Sequence, residues 1–286
     1  AKITTMDLNS EISNNVAKSL SEDIGTGDLT TLLIKSEISA VATVTCREKS
    51  ILCGTQWFDT CFKQLSQQTE IHWFAEEGDV ISAGQELCKI EGNARSLLTA
   101  ERSALNFLQT LSAIATQTRS YVDEVLGTGA SIVDTRKTLP GLRLAQKYAV
   151  RCGGGLNHRL GLYDGILIKE NHIKSAGGIE SALKIAELIA PKDLIIQIEV
   201  ETKDELFKAL NAGARMILLD NFSLEDLSYA VTLTANLTNK ETLLEASGGI
   251  TLKNVRKIAE TGVNRISIGS ITKHVGAIDF SMNFIN

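Results

Sequence analysis

The spacing of apolar positions changes character near Gly127. Before it, a helical opening over Ser10–Glu22 and a turn-rich Gly25-Thr-Gly27-Asp28-Leu-Thr-Thr31 lead into short alternating runs. Ser39–Arg47, Ile51–Gly54 and Glu70–Phe74 read as strands, and Glu77–Gly92 as two short strands around a turn, because period-two alternation marks half-buried extended chain. From Ser96 to Val125, Leu98, Leu105, Leu108, Leu111 and Ile114 recur mostly every three or four residues, with no Pro or Gly inside. That pattern predicts one long helix bridging two domains.

After Gly127, strand and helix patterns alternate. The predicted strands are Ser131–Asp134, Gly165–Lys169, Leu194–Val200, Arg215–Asp220, Leu243–Ser247 and Arg265–Gly269. The helices are Leu142–Val150, Gly178–Ile189, Thr202–Asn211, Ser223–Ala235 and Leu252–Glu260. Runs such as Leu194-Ile-Ile-Gln-Ile198 and Met216-Ile-Leu-Leu219 fit strands buried on both faces, as a helix-covered parallel sheet requires. Asp134, Lys169, Glu199, Asp220, Ser247 and Gly269 fall at carboxyl ends of strands, the face on which a parallel α/β barrel gathers its chemistry. Six clear strands and one irregular crossing point to an incomplete barrel. A doubly wound open sheet competes, since strand spacing does not say whether a sheet closes. A faint likeness of Glu77–Gly92 to carrier-domain hairpins lacks the lysine at the tip.

Composition narrows the class. At 43% apolar, 286 residues can bury one large core or two unequal ones. No apolar run approaches the roughly 20 residues that span a bilayer, and Ala1–Ser10 is polar, so a cytoplasmic chain with no membrane partner is expected. Five cysteines without a Cys-x-x-Cys pair argue against a disulfide framework or zinc site. They are expected as small buried apolar residues, and Cys152, beside the Gly run, has no base assigned to it that would make it a nucleophile. A net charge of −5 with 5% aromatic residues lacks the basic, aromatic-studded stripe of a nucleic-acid binder.

The charge is unevenly spread. Between Thr135 and Lys174, eight Lys+Arg stand against two Asp+Glu, whereas the rest of the chain has 21 against 32. A cationic block with Gly-rich turns in an acidic protein points to a small, highly charged anion. Arg143, Lys147 and Arg151, four apart, read as a solvated helix face. Arg136, Lys137, Arg159 and Lys169, at strand ends or in loops, read as the anion grip, with His158 beside them. Glu199 and Asp220 offer hard oxygen ligands that would act on a polyphosphate through magnesium, while Glu201 is expected to turn outward. Ser247-Gly248-Gly249 and Ile268-Gly269-Ser270 suit a phosphate held on backbone N–H groups of the last two strand-to-helix loops. Arg102, on the long helix, is unremarked by spacing alone.

Asp134-Thr-Arg-Lys-Thr-Leu-Pro-Gly-Leu-Arg143, Gly153-Gly-Gly-Leu-Asn-His-Arg-Leu160, Tyr163-Asp-Gly-Ile-Leu-Ile-Lys-Glu-Asn-His172, Ile198-Glu-Val-Glu201, Leu218-Leu-Asp-Asn-Phe222 and Ala246-Ser-Gly-Gly-Ile250 together resemble the quinolinate phosphoribosyltransferases. The likeness extends through Glu22-Asp-Ile-Gly-Thr-Gly-Asp-Leu-Thr-Thr31 and Ala100-Glu-Arg-Ser-Ala-Leu-Asn-Phe-Leu108. It implies an N-terminal α/β sandwich domain over 1–112 and an open, seven-stranded α/β barrel over 113–275, with 276–286 packing back on the first. It also implies conversion of quinolinate and phosphoribosyl pyrophosphate to nicotinate mononucleotide, pyrophosphate and carbon dioxide in NAD biosynthesis, with Mg2+. The assembly implied is a homodimer or a multiple of it, up to a hexamer of dimers. By resemblance Arg136, His158, Arg159 and Lys169 line the quinolinate site, with Thr135 and Lys137 nearby and Lys137 toward the phosphoribosyl group. Arg102 enters from the partner subunit. Glu199 and Asp220 meet the ribose and the metal, directly or through water, and Ser247–Gly249 and Ile268–Ser270 hold the 5′-phosphate. Lys137, Lys169, Glu199 and Asp220 are the expected catalytic residues. A related enzyme acting on nicotinate, or a paralogue kept for binding near molybdate transport, are the rival readings.

Overall fold

The computed structural model describes residues 5–238 and 241–285, with side chains from residue 8 onward. Two compact units emerge. One, the sheet unit, takes the residues up to Arg119, Thr138–Gly154 and the chain from Ile271; the other, the barrel unit, takes Ser120–Lys137 and Gly155–Ser270. Among the described residues, no helix is long and apolar enough to cross a membrane.

The elements in chain order are α1 (Thr5–Ile24), β1 (Ser39–Cys46), β2 (Ser50–Ile51), α2 (Thr55–Leu65), β3 (Glu70–Trp73), β4 (Val80–Ile81), β5 (Glu86–Asn93) and α3 (Ala94–Glu124). They continue with β6 (Ser131–Val133), α4 (Arg143–Cys152), β7 (Ile166–Ile168), α5 (Glu170–Ala176), α6 (Ile179–Ile189), β8 (Ile196–Val200), α7 (Lys203–Asn211) and β9 (Met216–Asp220). The last are α8 (Leu224–Thr238), β10 (Leu243–Ser247), α9 (Val255–Glu260), β11 (Arg265–Ser267), α10 (Ser270–Lys273) and β12 (Phe280–Ile285).

In the sheet unit an antiparallel sheet runs in the order β12-β1-β5-β3. The terminal strand β12 thus lies along β1, with Val41 opposite Ile285 and Cys46 opposite Phe280. Both strands expected within Glu77–Gly92 form, but not as a hairpin. β5 has both edges taken by β1 and β3, so β4 pairs with β2 instead. Helix α2 had no counterpart in the sequence reading, although Trp57, Phe58, Cys61 and Phe62 are buried at helical spacing. Its first turn is capped from a distance: the Glu77 carboxylate accepts from Gly54 N (2.7 Å), Thr55 N (3.1 Å) and Thr55 Oγ1 (2.6 Å). The five cysteines are free and four are buried; burial pushes the Cys61 thiol up to about 12, which keeps it inert.

Helix α4 departs from the solvated face expected of it. Arg151 is exposed and Arg143 half-buried, but Lys147 is fully buried with Ala145, Gln146, Ala149 and Val150. Four-residue spacing says which side chains share a face, not whether that face is covered. Gly153 then closes against α3: an added Cβ would collide with the Ala115 carbonyl oxygen and stand 2.7 Å from Thr118 Cβ.

In the barrel unit six parallel strands run in the order β6-β11-β10-β9-β8-β7. Each strand from β7 to β11 lies beside the next in sequence, and the first, β6, returns to pair with the last. A doubly wound sheet would instead reverse its order part-way, so the barrel reading holds. The irregular crossing is Leu156, which forms a lone parallel bridge to Val133 through Leu156 N to Ile132 O (2.8 Å) and Asp134 N to Leu156 O (3.1 Å). No strand ladder joins this crossing to β7 among the described residues, so the barrel is open there.

Replacing Gly153 with Ala is expected to cost about 1–3 kcal/mol through overpacking against α3. Urea unfolding checks this, and an unchanged midpoint would contradict the tight approach.

Candidate active site

Parallel register sets which side chains share the inner face. Glu199 pairs with Leu218, Leu218 with Glu245, and Glu245 with Arg265. One layer higher, Asp220 pairs with Ser247. Because strand side chains alternate, Glu201 lies on the same side as Glu199 rather than outward. The pairing of Val200 with Leu219 then carries Glu201 alongside Asp220. The carboxylates of Glu199, Glu201 and Asp220 accordingly lie within 4.8 Å of one another. Period two held this signal; the expectation that Glu201 faces out misapplied it.

Lys169 directly precedes α5, where its N–H donates to His172 Nδ1 at 3.0 Å. Its ammonium reaches back to Glu199 Oε2 at 3.2 Å. Lys169 is half-exposed, so the pair matters less for stability than for aiming the ammonium at the acidic cluster.

The loops after β6 and β11 meet at Gly269. An added Cβ there would stand 2.9 Å from Lys137 Cδ and 3.5 Å from Thr135 Oγ1, so glycine is what admits the lysine stem. Thr135 Oγ1 accepts from Lys137 N at 3.1 Å, fixing the turn that presents Lys137 to solvent. Ser270 Oγ is buried without a hydrogen-bond partner among the described residues. After β10, Gly248 has φ +97° and an added Cβ would collide with Asn221 Oδ1. Asn221 itself bonds Ser247 O (2.9 Å) through its backbone N–H and Asp220 Oδ2 (3.0 Å) through its amide. The loops after β9 and β10 are therefore one locked unit, with Gly249 at φ +61° and open space around it.

The cations from the irregular crossing are held with equal care. Asp134, fully buried, accepts from Asn157 Nδ2 (2.6 Å) and His158 N (2.8 Å). Asp164 accepts from Leu160 N and Gly161 N, both at 2.8 Å, and tightens the loop that follows. Arg159 donates from Nη1 to Gly165 O at 3.0 Å. Burial first, and then the nearby charge of Arg136, pull the Arg159 guanidinium below its usual value, with Asp164 opposing. Two guanidiniums thus share one neighbourhood, and half-burial deprives them of part of their water. Such a site favours an anion of more than one charge.

Of the expected site residues in the barrel unit, Lys169 meets Glu199 and Asp220 lies with Glu199, Lys137 and Thr135 meet Gly269, and Arg136 and Arg159 lie near one another with His158 beside Arg159. Arg102 is exposed on α3 in the sheet unit.

Comparison with known proteins accords with this geometry. The family model "Quinolinate phosphoribosyl transferase, C-terminal domain" matches residues 114–283, and "Quinolinate phosphoribosyl transferase, N-terminal domain" matches residues 28–112. The chain belongs to the quinolinate phosphoribosyltransferase family. Among its relatives, the probable carboxylating nicotinate-nucleotide pyrophosphorylase of Bacillus subtilis is 42% identical over 92% of this chain and 89% of its own. The Mycobacterium leprae carboxylating nicotinate-nucleotide pyrophosphorylase is 38% identical over 94% and 96%. The solved nicotinate-nucleotide pyrophosphorylase of Francisella tularensis superposes with a TM-score of 0.92 at 44% identity, covering 99% of this chain and 98% of that one.

Within this family frame, sequence reasoning missed Asp134 as an anchor and Gln197 and Glu245 as inner-face polar residues. The signal for Gln197 was present: it is the one polar residue in Leu194-Ile-Ile-Gln-Ile198, and a polar side chain in a doubly buried run must find a partner.

Gly249→Ala is expected to cost about 1–2 kcal/mol for its left-handed backbone. Gly248→Ala adds the displacement of Asn221, about 1–3 kcal/mol more. Equal losses in urea unfolding would contradict the locked-loop geometry.

Proposed function

We propose that the protein joins quinolinate to phosphoribosyl pyrophosphate, giving nicotinate mononucleotide, pyrophosphate and carbon dioxide for NAD biosynthesis. The observation that carries this is the two half-buried, neighbouring arginines Arg136 and Arg159 in a chain of this family. Quinolinate is a dianion, and burying two carboxylates without fixed cations would be prohibitive. Nicotinate, with one carboxylate, would leave one of the two guanidiniums unmatched.

The acidic side of the site suits the sugar and the leaving group. Three carboxylates within 4.8 Å of one another carry more negative charge than the single Lys169 ammonium beside Glu199 offsets, and their hard oxygens match Mg2+. Glu199 and Asp220 would hold the ion, directly or through water, with Glu201 beside them; when bound, it supplies charge neutralisation to the departing pyrophosphate. Lys169, held against Glu199, and Lys137, held over Gly269, bring ammonium groups toward the same phosphates. Glu199 and Asp220 also favour the positive charge that develops on the ribose ring as its bond to pyrophosphate breaks. The 5′-phosphate falls to the backbone N–H groups of Ser247–Gly249 and Ile268–Ser270, where Ser270 has a hydroxyl to offer. Catalysis here rests on position and charge more than on proton transfer. Transfer of the phosphoribosyl group to the ring makes the pyridine nitrogen cationic, and its charge stabilises the electron pair that stays on the adjacent ring carbon, as an ylide, when the carboxylate departs as carbon dioxide. A proton restores the ring carbon.

The active unit is a homodimer in which Arg102 completes the partner's quinolinate site. Arg102 is exposed on its own helix, open to a second subunit. Leu162, Ile185 and Ile189, all exposed, line a groove beside β7 at the open side of the barrel, and apolar patches of this kind are commonly covered by another subunit. Free cysteines throughout fit a reducing compartment such as the cytoplasm.

Incubation with quinolinate, phosphoribosyl pyrophosphate and Mg2+ is expected to yield nicotinate mononucleotide. Product from nicotinate but none from quinolinate would overturn the reading. Arg136→Ala is expected to weaken quinolinate binding by about tenfold or more, a lost charged hydrogen bond, while phosphoribosyl pyrophosphate binding changes far less; equal losses in titration would refute the assignment. Mixing inactive Arg102→Ala and Lys169→Ala proteins should restore part of the activity in mixed dimers. No recovery after verified subunit exchange would count against the shared site.

A further inference from the structure

Beneath the strand-end cluster lies a second polar layer that the proposed reaction does not use. Gln197 and Glu245 are 1% and 0% exposed, on the inner faces of β8 and β10. Glu245 Oε2 pairs with Arg265 Nε at 2.9 Å. Gln197 Oε1 stands 2.7 Å from His158 Nε2, and Glu245 Oε1 is 3.8 Å from the same nitrogen. Asn157, His158, Gln197 and Arg265 line a chamber of about 80 Å³ there.

The other ring nitrogen settles the proton's place. His158 Nδ1 accepts the backbone N–H of Arg159 at 2.8 Å, so it carries no hydrogen. A neutral imidazole with a bare Nδ1 has its proton on Nε2, and that N–H must donate to Gln197 Oε1. A doubly protonated ring would set an N–H against the Arg159 N–H. Glu245 stands farther from that nitrogen than Gln197 does, and its other oxygen is held by Arg265. Each end of the ring therefore holds one element: Nδ1 the amide of Arg159, Nε2 the amide oxygen of Gln197.

We propose that Gln197 is a positioning residue that locks His158 in its Nε2–H tautomer and so fixes the backbone from which Arg159 reaches the substrate. His158 then serves as a neutral brace between β8 and the irregular crossing, and not as a third cation. Asp134 fixes the amide of residue 158, the ring fixes the amide of residue 159, and Gly165 O holds the guanidinium. Three successive bonds orient one arginine. The inference rests on the quinolinate reading only for its kinetic consequence, since the tautomer belongs to the ligand-free protein.

Nitrogen-15 NMR of the histidine-labelled, ligand-free protein, with His158 assigned by comparison with His158→Gln, tests the tautomer. One protonated Nε2 and one bare Nδ1 are expected. A proton on Nδ1, or on both nitrogens, at neutral pH would overturn the proposal, whatever substrate the enzyme turns over. Gln197→Met, which keeps the volume and removes the acceptor, is expected to raise the quinolinate KM about tenfold and leave the KM for phosphoribosyl pyrophosphate within about twofold. An unchanged quinolinate KM with an unchanged His158 spectrum would also overturn it. Should that variant fail to fold, the wild-type spectrum alone decides.

Discussion

The barrel unit depends on how it holds a segment that has no strand of its own. Between β6 and β7 the chain contributes a single bridge residue, Leu156, yet the next residues carry His158 and Arg159. Where ladder hydrogen bonds end, the buried carboxylate of Asp134 takes over, accepting from Asn157 Nδ2 and His158 N. A buried carboxylate is tolerable only when its oxygens are well occupied, and here the donors that occupy it are those of the segment needing support. These two hydrogen bonds tie the buried anchor to the cation-bearing segment.

From that anchor the site divides by charge. Arg136 and Arg159 form a cationic floor that the dianion of the proposed reaction would meet. Glu199, Glu201 and Asp220 form an acidic side, where the proposed reaction would set a hard cation. Lys169 joins the two, 3.2 Å from Glu199. The two substrates of the proposed reaction would meet these groups in complementary ways. The glycines of the late loops add shape, with Gly269 admitting the Lys137 stem and Gly248 admitting Asn221.

Much of this was legible in the residues. The six barrel strands were set by continuous Ile, Leu and Val runs between polar ends, and the strand ends marked the chemistry. Barrel closure was not readable, because it resides in the pairing of β6 with β11, which no local pattern encodes. Helix α2 was passed over because its cap, Glu77, lies over twenty positions away from Thr55 in sequence. Lys147 was misjudged because a lysine's charge outweighed the small and apolar residues around it, which announce a covered helix. Glu201 was misread by setting aside the period-two rule that the rest of β8 obeys. Arg102 drew notice only through family resemblance, since nothing on its own helix marks it.

The central claim is that the cationic floor serves a dicarboxylate whose second carboxylate leaves only after the ring nitrogen has been alkylated. Release of carbon dioxide from carboxyl-labelled quinolinate tests it most directly. Labelled gas is expected one for one with nicotinate mononucleotide, and only when phosphoribosyl pyrophosphate is present. Release at full rate without the phosphoribosyl donor, or mononucleotide that retains both carboxylates, would contradict it.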